Sequence, residues 1–333
     1  MRILVIGTGS IGVRHVRVIK NDGHELAICD INKENVQKTA KQFNIAEYYF
    51  DYKDALQHRF DAAVICTPNA YHAEAGIFAM SKGCHILMEK PLAHTAEDGA
   101  RLVAAAHEYG RVLMVGYILR IYPGLGEVKQ FINSGQLGKT ISARVMLSAE
   151  NTLAFGKSDY RKSYETGGGI IYDYSHEIDY LRCFFGEPKR LACFKDLRVR
   201  NGVSCDDTAE IIMQFESGVL ASIHMDYIQE CGIYQNRRII EIICEKGFLR
   251  YDFSSLQVLT KENPEFFVEY NPDRDGLFLK QLQNFVAVCD GWDADIVTGE
   301  DALKTLCVCR DLYIADNISA AGYYSGKTLQ GGY

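Results

Sequence analysis

Three glycines at the spacing Gly7-x-Gly9-x-x-Gly12 stand where phosphate recognition needs them. An apolar run short enough for a buried strand, Ile3–Ile6, leads into them, and a helix pattern opens on them. A second apolar run, Leu26–Cys29, ends in Asp30 about 20 residues on. In that setting Gly7 permits the tight turn, Gly9 lets backbone approach a pyrophosphate, and Gly12 lets the helix pack closely on the strand. The phosphates would lie at the helix start, by Ser10 and Ile11, where free N–H groups and the macrodipole favour negative charge. Asp30 is placed to accept hydrogen bonds from adenosine ribose hydroxyls, and its charge repels a 2′-phosphate. The cofactor expected is NAD, with NADP disfavoured. The plain alternative is a glycine-rich turn that binds nothing.

Three further segments carry groups able to do chemistry. Cys66-Thr67-Pro68-Asn69-Ala70-Tyr71-His72 follows a strand-like run, and Thr67 and Asn69 there can hydrogen-bond a cofactor. The same residues serve equally well as a turn and a helix cap. Met88-Glu89-Lys90-Pro91 follows the next strand-like run. A lysine at the carboxyl edge of such a sheet can accept a hydroxyl proton as hydride leaves, and return it in reduction. A solvated lysine before a loop proline is the other reading. The Lys90–Pro91 bond is a candidate for the cis form. Gly167-Gly168-Gly169 allow close backbone approach, and Asp173, His176 and Asp179 then share a helix face at three-residue steps. Histidine shuttles protons near neutral pH, and carboxylates orient it. Asp173 and Ser175 acting as helix caps, with His176 a structural hydrogen-bonder, fit the same spacing.

The frame that must position these groups is also legible. Strand candidates Ile3–Ile6, Leu26–Cys29, Glu47–Phe50, Ala62–Cys66, His85–Met88 and Val112–Val115 alternate with helix patterns near 10–21, 33–43, 70–82 and 95–109. Such alternation predicts a parallel, doubly wound α/β sheet, with Pro68 and Pro91 at its carboxyl edge, where ligands bind. A helix pattern at 124–134 then gives way to β-rich runs: Thr140–Leu147, Leu191–Val199, Thr208–Phe215, Val219–Tyr227, Ile239–Cys244, Phe248–Phe253 and Gln257–Thr260. Hairpin signals such as Glu216-Ser217-Gly218 join several of them, so this sheet should be large, open and mostly antiparallel. Helix patterns at 275–290 and 300–319 close the chain. The division expected is a Rossmann domain over 1–120 and an α+β domain for substrate and oligomer contacts over 121–333.

Composition narrows the partners. The 333 residues are 47% hydrophobic with a net charge of −7, which argues against a nucleic-acid footprint over the surface. No apolar run approaches a membrane span. Glycines and Arg14 break the one stretch that resembles a signal peptide. The 11 cysteines include no C-x-x-C pair and read as buried thiols of a reducing compartment, so a cytoplasmic location is expected. Metal-ligand spacing is lacking among the nine histidines.

Taken in order, Gly7-Thr8-Gly9-Ser10-Ile11-Gly12, Asp30, Thr67-Pro68-Asn69 with His72, Glu89-Lys90-Pro91, Val115-Gly116-Tyr117 with Arg120, and Gly167-Gly168-Gly169 with His176 and Asp179 resemble the glucose–fructose oxidoreductase / inositol dehydrogenase (Gfo/Idh/MocA) family. The resemblance covers essentially the whole chain. It implies an NAD-dependent dehydrogenase of sugar or polyol hydroxyls, with an open sheet whose one face roofs the substrate and whose other face makes dimers or tetramers. Lys90 matches the family's catalytic lysine, beside Glu89, and His176 the histidine that polarises the substrate hydroxyl. Many members carry an aspartate four residues before that histidine. Here Tyr172 holds that position and Asp173 follows it, so Asp173, Tyr172 or neither takes the role. Ile118 is a second departure, from a polar residue. The resemblance places Arg120 and the segment Ser158–Tyr164 near the substrate mouth. There Tyr160 and Arg161 are candidates for substrate contact, and Arg161 is able to hold a carboxylate or phosphate bidentately. An anionic sugar, such as a nucleotide sugar of bacterial surface-sugar pathways, and a mixed-charge surface loop are the two readings of that segment. A catalytically silent NAD-binding regulator, or an enzyme that reduces and reoxidises bound NAD within one cycle, are the alternatives at the level of function.

Overall fold

The computed structural model describes residues 1–150, 159–198, 202–228, 237–261 and 266–319. Val199 of one expected strand and Ser158 of the substrate segment lie outside them.

The first sheet is built from β1 (Arg2–Ile6), β2 (Glu25–Cys29), β3 (Tyr48–Tyr49), β4 (Ala62–Ile65), β5 (His85–Met88) and β6 (Leu113–Val115). All are parallel, in the order β3-β2-β1-β4-β5-β6. Ile3, Leu4, Val5, Ala62, Ala63, Val64 and Ile65 are all fully buried, as continuous apolar strands covered on both faces must be. The expected strand at 47–50 shortens to Tyr48–Tyr49, an edge whose tyrosines stay partly in solvent. Helices α1 (Ser10–Asn21), α2 (Lys33–Phe43), α3 (Tyr52–Ala55), α4 (His72–Ser81) and α5 (Ala96–Tyr109) supply the covers. Their ends follow local chemistry: Asn32 caps α2, and Thr95 caps α5, which stops at left-handed Gly110.

After α6 (Leu125–Ser134) comes β7 (Thr140–Glu150), then the short helix α7 (Ile170–Asp173) and α8 (Ser175–Phe185). The second sheet adds β8 (Pro188–Asp196), β9 (Thr208–Phe215), β10 (Leu220–Ile228), β11 (Arg237–Cys244), β12 (Gly247–Tyr251), β13 (Ser255–Thr260) and β14 (Phe266–Glu269). Its order is β14-β13-β12-β11-β7-β10-β9-β8, antiparallel except for the β7–β10 pair. Alternation sets its two faces. Ala209, Ile211, Met213 and Phe215 point into a core shared with α8, while Ile212, Leu220, Ile243 and Phe194 on the far face are half or more exposed.

Two helices close the described chain, α9 (Arg274–Cys289) and α10 (Gly299–Ser319). The first sheet ends at Val115 and the second begins at Thr140, yet both closing helices pack back onto the first. Phe278, Leu282 and Phe285 of α9 join the core under β1, and Ala302 and Leu306 of α10 join the core under β5. Val115 N–H also donates to Val297 O at 2.8 Å.

Candidate active site

The sheet order reverses between β1 and β4, and the crevice at that reversal is where such folds hold ligands. On one side the glycine turn follows β1. Gly7 has φ +96°, a conformation open to glycine, and a Cβ on Gly12 would lie 1.9 Å from Gly7 O. A Cβ on Gly9 would meet nothing within 4 Å. Gly9 caps α1 in an extended conformation with no side-chain bond, so the first N–H groups of the helix face open space. Asp30, at the end of β2, accepts from Thr8 N at 2.6 Å, Thr8 Oγ1 at 2.8 Å and Asn32 N at 2.9 Å. It therefore braces the turn with the same carboxylate that the sequence offered to a ribose.

The segment after β4 forms the other side. Among the described residues, the buried Thr67 Oγ1 and Asn69 Oδ1 find no hydrogen-bond partner. Unsatisfied buried acceptors in a crevice, beside an uncapped helix start and an open glycine, fit a dinucleotide. Asn69 Nδ2 donates to Gly167 O at 3.3 Å, and a Cβ on Gly167 would fall 1.5 Å from Asn69 Oδ1. That close approach is what the glycine run provides. His72 is buried at the start of α4, with Nε2 2.9 Å from Thr67 O and Nδ1 3.0 Å from Pro91 O. Its ring ties the two edge loops together and has no nitrogen left for a ligand.

Lys90 follows β5, and its bond to Pro91 is cis. Glu89 turns toward α1, where its Oε1 is 2.8 Å from His15 Nε2. The Lys90 ammonium donates to the backbone carbonyl of Asp173 and stands 3.5 Å from Asp173 Oδ1. Asp173, the last residue of α7, also takes Arg161 Nη2 at 3.1 Å and the Tyr227 hydroxyl on Oδ2. Burial works to raise its pKa. Arg161, then Lys90, and the bond from Tyr227 outweigh burial and bring it down to about 2. Asp206 fixes α7 in turn: it accepts from Ile170 N at 3.0 Å, capping the helix, and from the hydroxyls of Tyr164 and Tyr313.

His176 sits in the first turn of α8, buried, with its ring edge-on to Tyr117 at 5.5 Å. Burial, then Lys90, Arg238 and Arg274, hold its pKa well below the ordinary value, so the imidazole is neutral. Nδ1 has no partner among the described residues. Glu177 beside it is fully buried and takes Arg238 Nε at 2.7 Å.

Of the two candidates before His176, Asp173 meets Lys90. Tyr172 stacks on Tyr313 at 5.0 Å and joins the core. Two expected substrate contacts are taken up internally. Arg120 makes a fork to Asp179 at 2.8 and 2.7 Å and reaches Asp301 at 2.6 Å, so all three of its guanidinium nitrogens are spent on protein carboxylates. Arg161, besides Asp173, donates from Nε to the Tyr160 hydroxyl at 3.0 Å, and Tyr160 is partly buried. Sequence reasoning missed Tyr227, Asp206, Tyr313 and Arg238. The inward alternation of β10 placed Tyr227 in the core, and nothing marked its hydroxyl.

Residues 1–117 match the family model GFO_IDH_MocA, described as an oxidoreductase family with an NAD-binding Rossmann fold, and residues 125–250 match the GFO/IDH/MocA C-terminal domain. The chain is 28% identical to an uncharacterized oxidoreductase YrbE of Bacillus subtilis, over 96% of this chain and 93% of that one. It is 26% identical to a myo-inositol 2-dehydrogenase of Thermotoga maritima, over 92% and 93%. The fold is that of a Bordetella pertussis WlbA dehydrogenase solved with NADH and UDP-GlcNAcA, with a TM-score of 0.82 at 23% identity, over 96% and 97% of the two chains.

Proposed function

The chain belongs to the Gfo/Idh/MocA family of oxidoreductases, and on that premise we propose that it is an NAD-dependent dehydrogenase of a sugar, polyol or sugar derivative. The observation that carries the proposal is the pairing of Lys90 with Asp173 at the carboxyl edge of the sheet, coupled to a buried neutral His176. A regulator has no use for that arrangement. NAD supplies the hydride chemistry at its nicotinamide. Gly7, Gly9, Ser10, Ile11 and Gly12 would cradle its diphosphate, Asp30 its adenosine ribose, and Thr67, Pro68, Asn69 and Glu89 would line its path to the nicotinamide end. Lys90 exchanges the proton of the reacting hydroxyl, and neutral His176 hydrogen-bonds the same oxygen. The relatives named inositol dehydrogenase and the neighbour holding UDP-GlcNAcA support hydroxylated rings as the substrate class.

The test follows NADH absorbance while wild type and Lys90→Ala are offered NAD⁺ with polyols, aldoses, uronic acids and nucleotide sugars. Turnover lost in the variant is expected. Turnover that survives would overturn the role of Lys90, and tightly retained cofactor with no net NADH would favour a redox-neutral conversion.

The far face of the second sheet exposes Phe194, Ile212, Leu220 and Ile243, so a second copy is its proposed cover, giving a homodimer or homotetramer. Light scattering on the eluting protein checks this, and a monomer at micromolar concentration would refute it. Cys29, Cys66, Cys84, Cys244 and Cys309 are buried thiols, which supports a cytoplasmic location. No helix of the described residues is long and apolar enough to cross a membrane.

A further inference from the structure

A carboxylate that belongs to a proton relay should be able to change its charge, and Asp173 is built against that. Its oxygens are taken from three directions: by Lys90 from the loop after β5, by Arg161 from the turn at 159–162, and by Tyr227 from β10. Tyr174, next in the chain, packs its ring on Tyr227 at 5.4 Å, and the Tyr160 hydroxyl accepts from Arg161 Nε at 3.0 Å. Among the described residues these are the charged and titratable groups that act on Asp173. Lys90 and Arg161 both stand against this carboxylate, and it is the group they share.

We propose that Arg161 and Tyr227 are positioning residues that fix Asp173 as the permanent counter-ion of Lys90, so that the lysine's direction is set by a clamp spanning both sheets. The inference deepens the dehydrogenase reading and rests on it for its kinetic consequences. It gives Arg161 a different task from holding an anionic substrate: its cation serves the chain's own carboxylate. Lys90 reaches the backbone carbonyl of Asp173 as well as the side chain, so the position of α7 matters as much as its charge. The cap that Asp206 places on α7 is part of the same support.

The experiment compares wild type with Tyr227→Phe, Arg161→Gln, Arg161→Lys, Asp173→Asn and the double variant Arg161→Gln/Asp173→Asn. Tyr227→Phe and Arg161→Gln should lower kcat about tenfold or more, as loss of a hydrogen bond to a charged group does, while KM and NADH affinity change little. Removing either partner lets burial lift the carboxyl, so kcat should gain an acidic fall above pH 4 that wild type lacks. Arg161→Lys should restore part of the rate. The double variant should be no slower than Asp173→Asn, because both changes remove one clamp.

A second readout needs no substrate. In protein labelled with ¹³C-aspartate, the carboxyl signal absent from Asp173→Asn should stay flat above pH 4 in wild type and titrate there in Tyr227→Phe. The clamp is overturned by a rise in KM with kcat and pH profile unchanged, by additive losses in the double variant, or by a carboxyl that titrates alike in all proteins. A wild type that oxidises none of the sugars would instead overturn the dehydrogenase reading, while the ¹³C titration still decides the clamp.

Discussion

A buried, neutral histidine and an ionised, partly buried aspartate, a few residues apart, divide the work at Lys90. His176 is held neutral by burial and by the cations around it. Its protonation therefore lies well on the acidic side of 6.5, and the kcat–pH profile of wild type should show no limb near that value. His176→Ala should cost about 10²–10⁴-fold in kcat, the usual worth of a positioned acid–base group, as steady-state kinetics at pH 7.5 would show. Arg120 is of another kind. Its guanidinium is bonded to the buried Asp179, whose carboxyl burial raises and Arg120 opposes. Arg120→Ala leaves that charge buried with only the Thr305 hydroxyl on it and should destabilise the fold by about 3–5 kcal/mol, measured by urea unfolding. The sequence offered Arg120 and Arg161 to a substrate because their partners are invisible locally: Asp179 lies 59 positions beyond Arg120, and nothing in the spacing announces the pairing.

At the scale of elements, the strand–turn–helix at the start of the chain separates binding from folding. Gly9 has φ −66°, and an added Cβ would have open space around it, so Gly9→Ala should leave the melting temperature nearly unchanged. The methyl would still stand where the diphosphate must approach, and NADH affinity measured by fluorescence should fall at least tenfold. Gly167→Ala should lower the melting temperature, because φ +101° and the contact with Asn69 leave no place for a methyl group. Most of this frame was legible in the sequence. Continuous apolar runs mark strands buried on both faces, and capping residues mark the helices. The strand β14 was not legible, because Phe266 and Phe267 are both exposed at the sheet edge and give no alternation. The links among Asp173, Tyr227, Arg161 and Asp206 were also hidden, since each joins different elements and arises only when the sheet folds over α7 and α8.

For the whole molecule, charge on the second sheet adds a dependence on pH. His224 on β10 lies between Glu210 and Asp226, each at 2.6 Å, and Ser148 donates to the other oxygen of Asp226 at 2.6 Å. The bond from Asp226, against the opposing effect of burial and with the help of Glu210, raises its pKa to about 9. A raised base stabilises the folded chain fully below its unfolded value, near 6.5, and loses that contribution as pH rises through about 9. The melting temperature should decline over that window in wild type and stay flatter in His224→Gln. The return of α9 and α10 to the first sheet has a different consequence, one of timing. The first sheet precedes the second in the chain, yet Phe278, Leu282 and Leu306 complete its core. On a ribosome adding about 5–20 residues per second, its last strand would wait roughly 10–40 seconds for those helices to emerge. During that interval an incomplete apolar surface is presented to chaperones, and the first sheet gains its full cover only after the second sheet has been synthesised.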